Sequence, residues 1–166
     1  MVQIALVMLI CALAYRYGPG VAPQPADTGF EGRLAFVGVW LLVPALAVLA
    51  FTIVTMLYRL FSPDAIAGTR RPASRYLEIN IRVTQNTLEQ AFLAAVAWFG
   101  LALALPAGQL ALIPVLAVLF GVGRILFWVG YQLDPAWRAI GFGLTALPTA
   151  IALLWLGSVA LSGLSG

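Results

Sequence analysis

Leu77-Glu78-Ile79-Asn80-Ile81-Arg82-Val83-Thr84-Gln85-Asn86-Thr87-Leu88-Glu89-Gln90-Ala91-Phe92-Leu93 is the stretch on which the reading of this chain turns, and it continues without a charge to Leu105. It starts polar and finishes wholly apolar. In an α-helix Arg82, Asn86 and Glu89 fall at i, i+4 and i+7, so they share one face with Glu78 a turn below, in a row about 16 Å long. A polar stripe that runs into an apolar helix describes a segment entering a membrane. A second stretch answers it: Gly123-Arg124-Ile125-Leu126-Phe127-Trp128-Val129-Gly130-Tyr131 sets Arg124 and Tyr131 on one face at i and i+7, and Arg138 follows. The two faces are expected to enclose an anionic ligand.

Working outward, the 166 residues are 63% hydrophobic and 9% charged, with a mean hydropathy of +1.01. That is too apolar for an ordinary soluble domain and points to an integral membrane protein. A spanning helix takes about 20 mostly apolar residues. Four segments qualify, at Leu34 to Leu60, Leu77 to Leu105, Gln109 to Leu133 and Trp137 to Leu161. A fifth, Met1 to Tyr15, is shorter. Its Ala12-Leu13-Ala14 has the look of a cleavage site, but it lacks the positive n-region of a signal peptide, so we read it as a retained extra helix or half-span. The expected fold is an all-α integral membrane four-helix bundle (residues 34–166), preceded by an apolar helix and a Pro/Gly-rich linker (residues 1–33).

All nine basic residues are arginine, and the chain has no histidine. Histidine is thereby excluded as a general base or metal ligand. The lone Cys11 excludes an intrachain disulfide and offers no metal cluster. A net charge of +3 would suggest nucleic acid in a soluble protein. Here the arginines fall at helix ends and between helices, so lipid phosphates and a small anion are the expected partners, not nucleic acid. Arginine bias with abundant Ala, Leu and Gly suggests a GC-rich bacterial genome, hence the inner (cell) membrane.

Arg16 to Arg33 reads as a linker, with Pro19, Pro23 and Pro25. Pro44 is expected to kink the first long helix. The next loop, Phe61 to Ser74, holds Arg70 and Arg71 with Arg59 and Arg75 at its edges, and the positive-inside rule places it in the cytoplasm. Ser74 suits an N-cap. Pro106-Ala107-Gly108 is a tight antiparallel return, and Asp134-Pro135 is a cap followed by proline at the first helical position. This threading brings Arg82, Asn86, Tyr131 and Arg138 toward one membrane face. Glu89 and Arg124 lie deeper, where an ion pair between them would lower the cost of each charge.

Each of these residues also has a plainer reading. Arg82, Asn86 and Glu89 can act purely as interhelical hydrogen-bonding groups, Arg124 as half of an assembly pair, Tyr131 as an interfacial aromatic and Arg138 as an anchor on anionic lipid. Read together, arginines with an amide, a carboxylate and a phenol suit a ligand bearing carboxylates and an amine, because guanidinium pairs bidentately with carboxylate. Glutathione has that profile. A nearby guanidinium also favours thiolate over thiol, which supplies a nucleophile without histidine. No P-loop, G-x-S-x-G or metal-ligand spacing is present.

At these residues the chain resembles the membrane-associated proteins in eicosanoid and glutathione metabolism, the MAPEG superfamily that includes the microsomal glutathione transferases. Arg82 to Glu89 looks like that family's second-helix signature. Gly123 to Tyr131 looks like its third, with Arg138 where the family places its thiol-activating arginine. The resemblance covers about Leu34 to Leu161. It implies a homotrimer with glutathione as cosubstrate, bound between subunits near the cytoplasmic face. By position, Arg82, Asn86, Glu89 and Tyr131 would hold glutathione, Arg124 would line or brace the site, Arg138 would stabilise the thiolate, and Arg59 would reach in from a neighbouring protomer. The chain departs from the pattern at Ile79, where many members carry arginine, at Phe127, often tyrosine, and in its N-terminal segment. The function this implies is conjugation of glutathione to a lipophilic electrophile, or reduction of a lipid hydroperoxide. The alternative is a non-catalytic scaffold or accessory subunit that meets partner membrane subunits through Met1–Tyr15. A small-anion transporter fits less well, with so few charges.

Overall fold

The computed structural model describes residues 2–61, 74–133 and 135–164, and among them it holds five α-helices and no strand. They are α1 (Val2–Tyr17), α2 (Phe30–Leu60), α3 (Arg75–Ala104), α4 (Leu112–Gln132) and α5 (Pro135–Leu164), with 3-10 turns at Gly18–Gly20 and Ala107–Gln109. All five rods are long and apolar enough to cross a membrane, as an integral membrane bundle requires. Of the two readings of the N-terminal segment, an extra helix or a half-span, the structure has the extra helix. α1 runs on to Tyr17, and the turn after it gives an apolar rod of 19 residues ending at Gly20, about 28 Å against a hydrocarbon core of about 30 Å.

Helix ends follow local chemistry. Ser74 caps α3, its Oγ accepting from the Leu77 amide at 3.2 Å, as Ser74 was expected to do. α5 starts at Pro135, whose missing N–H has no helical acceptor to satisfy there. The cap expected of Asp134 and the loop arginines Arg70 and Arg71 lie outside the described residues. The return between α3 and α4 is the Ala107–Gln109 turn, closed by Gln109 N–H donating to Pro106 O at 2.9 Å. Arg33, expected at the edge of the linker, sits inside α2. Its Nη1 donates to Ala102 O (2.8 Å) and Leu105 O (2.7 Å), and its Nε donates to Thr28 O (2.8 Å). It thus satisfies the orphan carbonyls of α3 and places positive charge at that helix's negative pole.

α3 runs down the middle of the packing. Its buried line is Asn80, Val83, Thr87, Gln90, Ala94, Ala97, Trp98 and Leu101, at helical spacing, and its alanines let α2 and α5 approach closely. Trp98 meets Phe120 of α4 edge to face at 6.0 Å, an arrangement favoured by the ring quadrupoles. α2 continues unbroken through Pro44. α1 rests on α5 and the start of α4, and Val7 is its one buried residue. The chain therefore has two ends. One carries Arg59, Arg75, Arg82 and Arg138; the other carries the Ala107–Gln109 turn and Arg33.

Candidate functional site

Glycine sets the geometry at the arginine-rich end. A Cβ added to Gly141 of α5 would lie 2.3 Å from the Phe127 amide nitrogen and 2.6 Å from Gly123 O, both main-chain atoms of α4. One added to Gly130 would lie 2.1 Å from the Arg138 nitrogen. α4 and α5 therefore touch backbone to backbone, a contact open only to residues without a side chain. That contact fixes Arg124, Phe127 and Tyr131 on α4 against Arg138, Gly141 and Thr145 on α5.

Arg124 is the joint of the bundle. Its side chain is 1% exposed. Nη1 donates to Asn86 Oδ1 of α3 at 2.9 Å. Nη2 donates to Gly141 O at 3.4 Å and to Thr145 Oγ1, and that hydroxyl in turn donates to Phe142 O at 2.9 Å. The guanidinium also stands over the rings of Phe127 (4.6 Å) and Phe120 (5.7 Å), whose negative faces favour a cation. An unpaired charge inside a bundle is costly, and here amide, hydroxyl and carbonyl acceptors offset that cost without a counter-ion.

The expected ion pair between Glu89 and Arg124 does not form. Glu89 accepts from Gln85 Nε2 on its own helix at 3.0 Å and is exposed, while Asn86 takes the place opposite Arg124. The reason is register. The buried line of α3 runs through Val83, Thr87 and Gln90, one residue round the helix from Arg82, Asn86 and Glu89, which is about 100°. Asn86, half-buried, stands at the boundary between the two lines. Arg82 faces outward, paired with Glu78 at 2.5 Å, and its side chain is 63% exposed. Glu78, Arg82, Gln85 and Glu89 thus form an outward polar stripe on a helix long enough to span a membrane.

Tyr131 and Arg138 are brought together: the guanidinium carbon of Arg138 lies 5.0 Å from the centre of the Tyr131 ring. Tyr131 packs edge to face on Phe127 at 5.2 Å. Arg138 is exposed and makes no ion pair among the described residues. Arg59 is exposed at the end of α2 with no polar partner among them. Ile79, in place of an arginine, is buried with Phe51, Val83 and Phe127. Sequence reasoning missed three supporting groups. Asn80, 3% exposed, accepts from Trp128 Nε1 at 3.0 Å and donates to Tyr76 O at 2.8 Å. Thr145 holds Arg124. Thr84 bonds Thr55 Oγ1 at 2.9 Å and donates to Phe51 O at 3.1 Å, tying α3 to α2. Their signal was spacing: Asn80 and Thr84 stand four apart in the polar stretch of α3, and Thr145 stands four after Gly141 in the apolar run of α5.

The groups left accessible are three guanidiniums (Arg59, Arg82 and Arg138), two carboxylates, a half-buried amide and a phenol. This donor set fits an anionic peptide thiol with a free amine, because it offers cations for carboxylates and an anion for ammonium. Arg124 does not belong to the accessible set. Both of its terminal nitrogens are already bonded inside the chain, so it braces Asn86 from behind.

Comparisons with known proteins agree with this architecture. Transmembrane protein 79 of Bos taurus is 39% identical over 51 residues, 31% of this chain, and that of Mus musculus is 37% identical over 51 residues. The matched segment spans only 13% of the length of those relatives. No solved structure gives a significant match. The sequence profile of the MAPEG family matches residues 34–158, which take in α3, α4, most of α2 and α5, and Arg59, Arg82, Arg124 and Arg138 of the candidate site; the chain belongs to the MAPEG family.

Proposed function

We propose that the protein is a membrane glutathione transferase, conjugating glutathione to lipophilic electrophiles or reducing lipid hydroperoxides, with its site at the cytoplasmic face. The observation that carries this reading is the Tyr131–Arg138 pair, an accessible guanidinium held over a phenol and connected through the Phe127 ring and Arg124 to Asn86 on the polar helix. Glutathione, when bound, supplies the thiol nucleophile. Arg138 favours the thiolate electrostatically, and Tyr131 keeps the guanidinium in place. Asn86, oriented by Arg124, offers its amide to the peptide. Arg82 and Glu89 face its carboxylate and ammonium ends. Arg59 would complete the set from an adjacent protomer.

The outward stripe of Glu78, Arg82, Gln85 and Glu89 supports a homotrimer, since charged groups on a spanning helix are costly against lipid and are relieved when a second copy covers them. A site made between copies would bring the outward Arg82 stripe of one copy to Arg138 of another. The test is calorimetric titration of the detergent-solubilised protein with glutathione, alongside turnover of a chlorinated nitroaromatic. Wild type is expected to bind and turn over; Arg138→Ala is expected to retain binding and to lose about 2–4 kcal/mol of transition-state stabilisation. Equal inertness of the two proteins overturns the catalytic reading.

A second reading, a non-catalytic scaffold or accessory subunit, is favoured by Phe127. This residue packs into an apolar cluster with Phe51, Ile79 and Val83 and presents no hydroxyl toward Arg138. Under that reading no heat of glutathione binding is observed, and partner membrane chains co-purify through Met1–Tyr15.

A further inference from the structure

At the end opposite the arginines, a cavity of about 520 Å³ separates α1 from the bundle. On α4 its lining stops at Leu119, about 18 Å along the helix from Tyr131, so it shares no residue with the site above. α1 and the turn that follows it are each seated on the bundle. Val7 packs against Gly143 of α5, where an added Cβ would come within 2.9 Å of it, and Gly18 packs against Val115 of α4, where one would come within 2.6 Å. Between these points α1 presents Met8, Cys11, Ala12 and Tyr15 to the cavity. They stand at i, i+3, i+4 and i+7, so one continuous helix face forms the wall.

The rest of the lining is almost wholly aliphatic and aromatic, from the end of α3, the start of α4 and Leu147 to Trp155 of α5. Tyr15 and Gln109 also line it, both toward the turn end, and neither side chain makes a hydrogen bond among the described residues. Water is a poor occupant of such a space, because each molecule needs two to four polar partners. Left unfilled, it forfeits dispersion contacts along every wall. Its helical walls are short, about 10 Å from Met8 to Tyr15, about 10 Å from Leu112 to Leu119 and about 12 Å from Leu147 to Trp155, so a volume of about 520 Å³ between them makes the cavity short and broad. It falls within the range of sites that enclose drug-sized ligands, about 300–1,000 Å³.

We propose that this cavity is a binding site for a compact, ring-bearing lipophile drawn from the membrane, with its single polar group at Tyr15 and Gln109. Breadth and shortness favour a fused or folded apolar body over one extended acyl chain. Helix α1, outside the segment matched by the family, supplies one wall. The site stands whether or not the arginine cluster binds glutathione.

The test is photolabelling of the full chain in bilayer nanodiscs with two probes, a diazirine-bearing sterol and a diazirine-bearing palmitate, with adducts mapped by mass spectrometry. Sterol adducts are expected to concentrate on Met8 to Tyr15 and Leu112 to Leu119 and to be competed by excess unlabelled sterol. Ala12→Phe and Leu119→Trp, filling the cavity from opposite walls, are expected to cut that labelling on the order of tenfold, as apolar contact area is displaced. Leu154→Trp, on an exposed surface, leaves it unchanged. Labelling spread over exposed Leu9, Leu13 and Leu154, labelling that excess sterol does not compete, or labelling indifferent to both filling variants overturns the proposal. Preferential cavity labelling by palmitate overturns the assignment to a compact occupant. The wild-type map and its competition decide the matter even where a filled variant fails to fold.

Discussion

Replacing Gly141 with alanine adds one methyl group at the point where α5 touches α4. The new Cβ would stand 2.3 Å from the Phe127 nitrogen, about 0.7 Å inside the closest approach real side chains make. The obstructing atoms are main chain and cannot rotate away, so the helices must separate by most of an ångström. Separation on that scale forfeits a quarter to a half of each dispersion contact across the interface. It also stretches the 3.4 Å bond from Arg124 to Gly141 O beyond hydrogen-bonding range. Overpacking of this kind costs about 1–3 kcal/mol, against which alanine returns up to about 1 kcal/mol of helix propensity. Gly157, on the same helix, meets nothing within 4 Å, so Gly157→Ala keeps the propensity gain alone. Thermal unfolding in detergent, followed by circular dichroism, is expected to show Gly141→Ala melting below wild type, by up to about 8 °C where the net cost reaches about 2 kcal/mol. Gly157→Ala is expected to melt at or slightly above it. Equal melting of the two variants would refute the backbone contact as the device that aligns Tyr131 with Arg138.

Three further outcomes follow from the same contacts. Thr145→Val removes one acceptor from buried Arg124 and is expected to destabilise by about 1–2 kcal/mol, with Asn86→Leu similar; Arg124→Met relieves both, so a double-mutant cycle with Thr145→Val gives a coupling of about 1 kcal/mol, and zero coupling refutes the joint. Arg33→Met leaves the Ala102 and Leu105 carbonyls without their donor and is expected to cost about 1–2 kcal/mol in the same melts, with faster amide hydrogen exchange confined to the last turn of α3. Ser74→Ala removes the cap on α3 and costs about 1 kcal/mol, and Ser74→Asp restores it; a silent alanine variant refutes the cap.

The sequence by itself determined the spans, their order and most of their ends. Transfer of a side chain to hydrocarbon is a local cost, summed residue by residue, and caps such as Ser74 or an initiating Pro135 act within one turn. The pairing of Tyr131 with Arg138 was legible for the same reason: seven residues across one short connection leave few places for either to go. The family signatures carried Asn86 and Arg124 into the site but not their bond to each other. Only the tertiary structure decided which face of α3 turns inward. Arg82, Asn86 and Glu89 share a face, yet the buried line lies one residue round, because alanines and Val83 pack closely where arginine and glutamate do not. That rotation left Glu89 outside, gave Arg124 to Asn86 and Thr145, and set Arg33 on α3 across 69 residues of sequence. The seat of α1 on α5, and the cavity beneath it, were equally illegible, because a glycine such as Gly143 gains its meaning only when a distant Val7 arrives to fill the space above it.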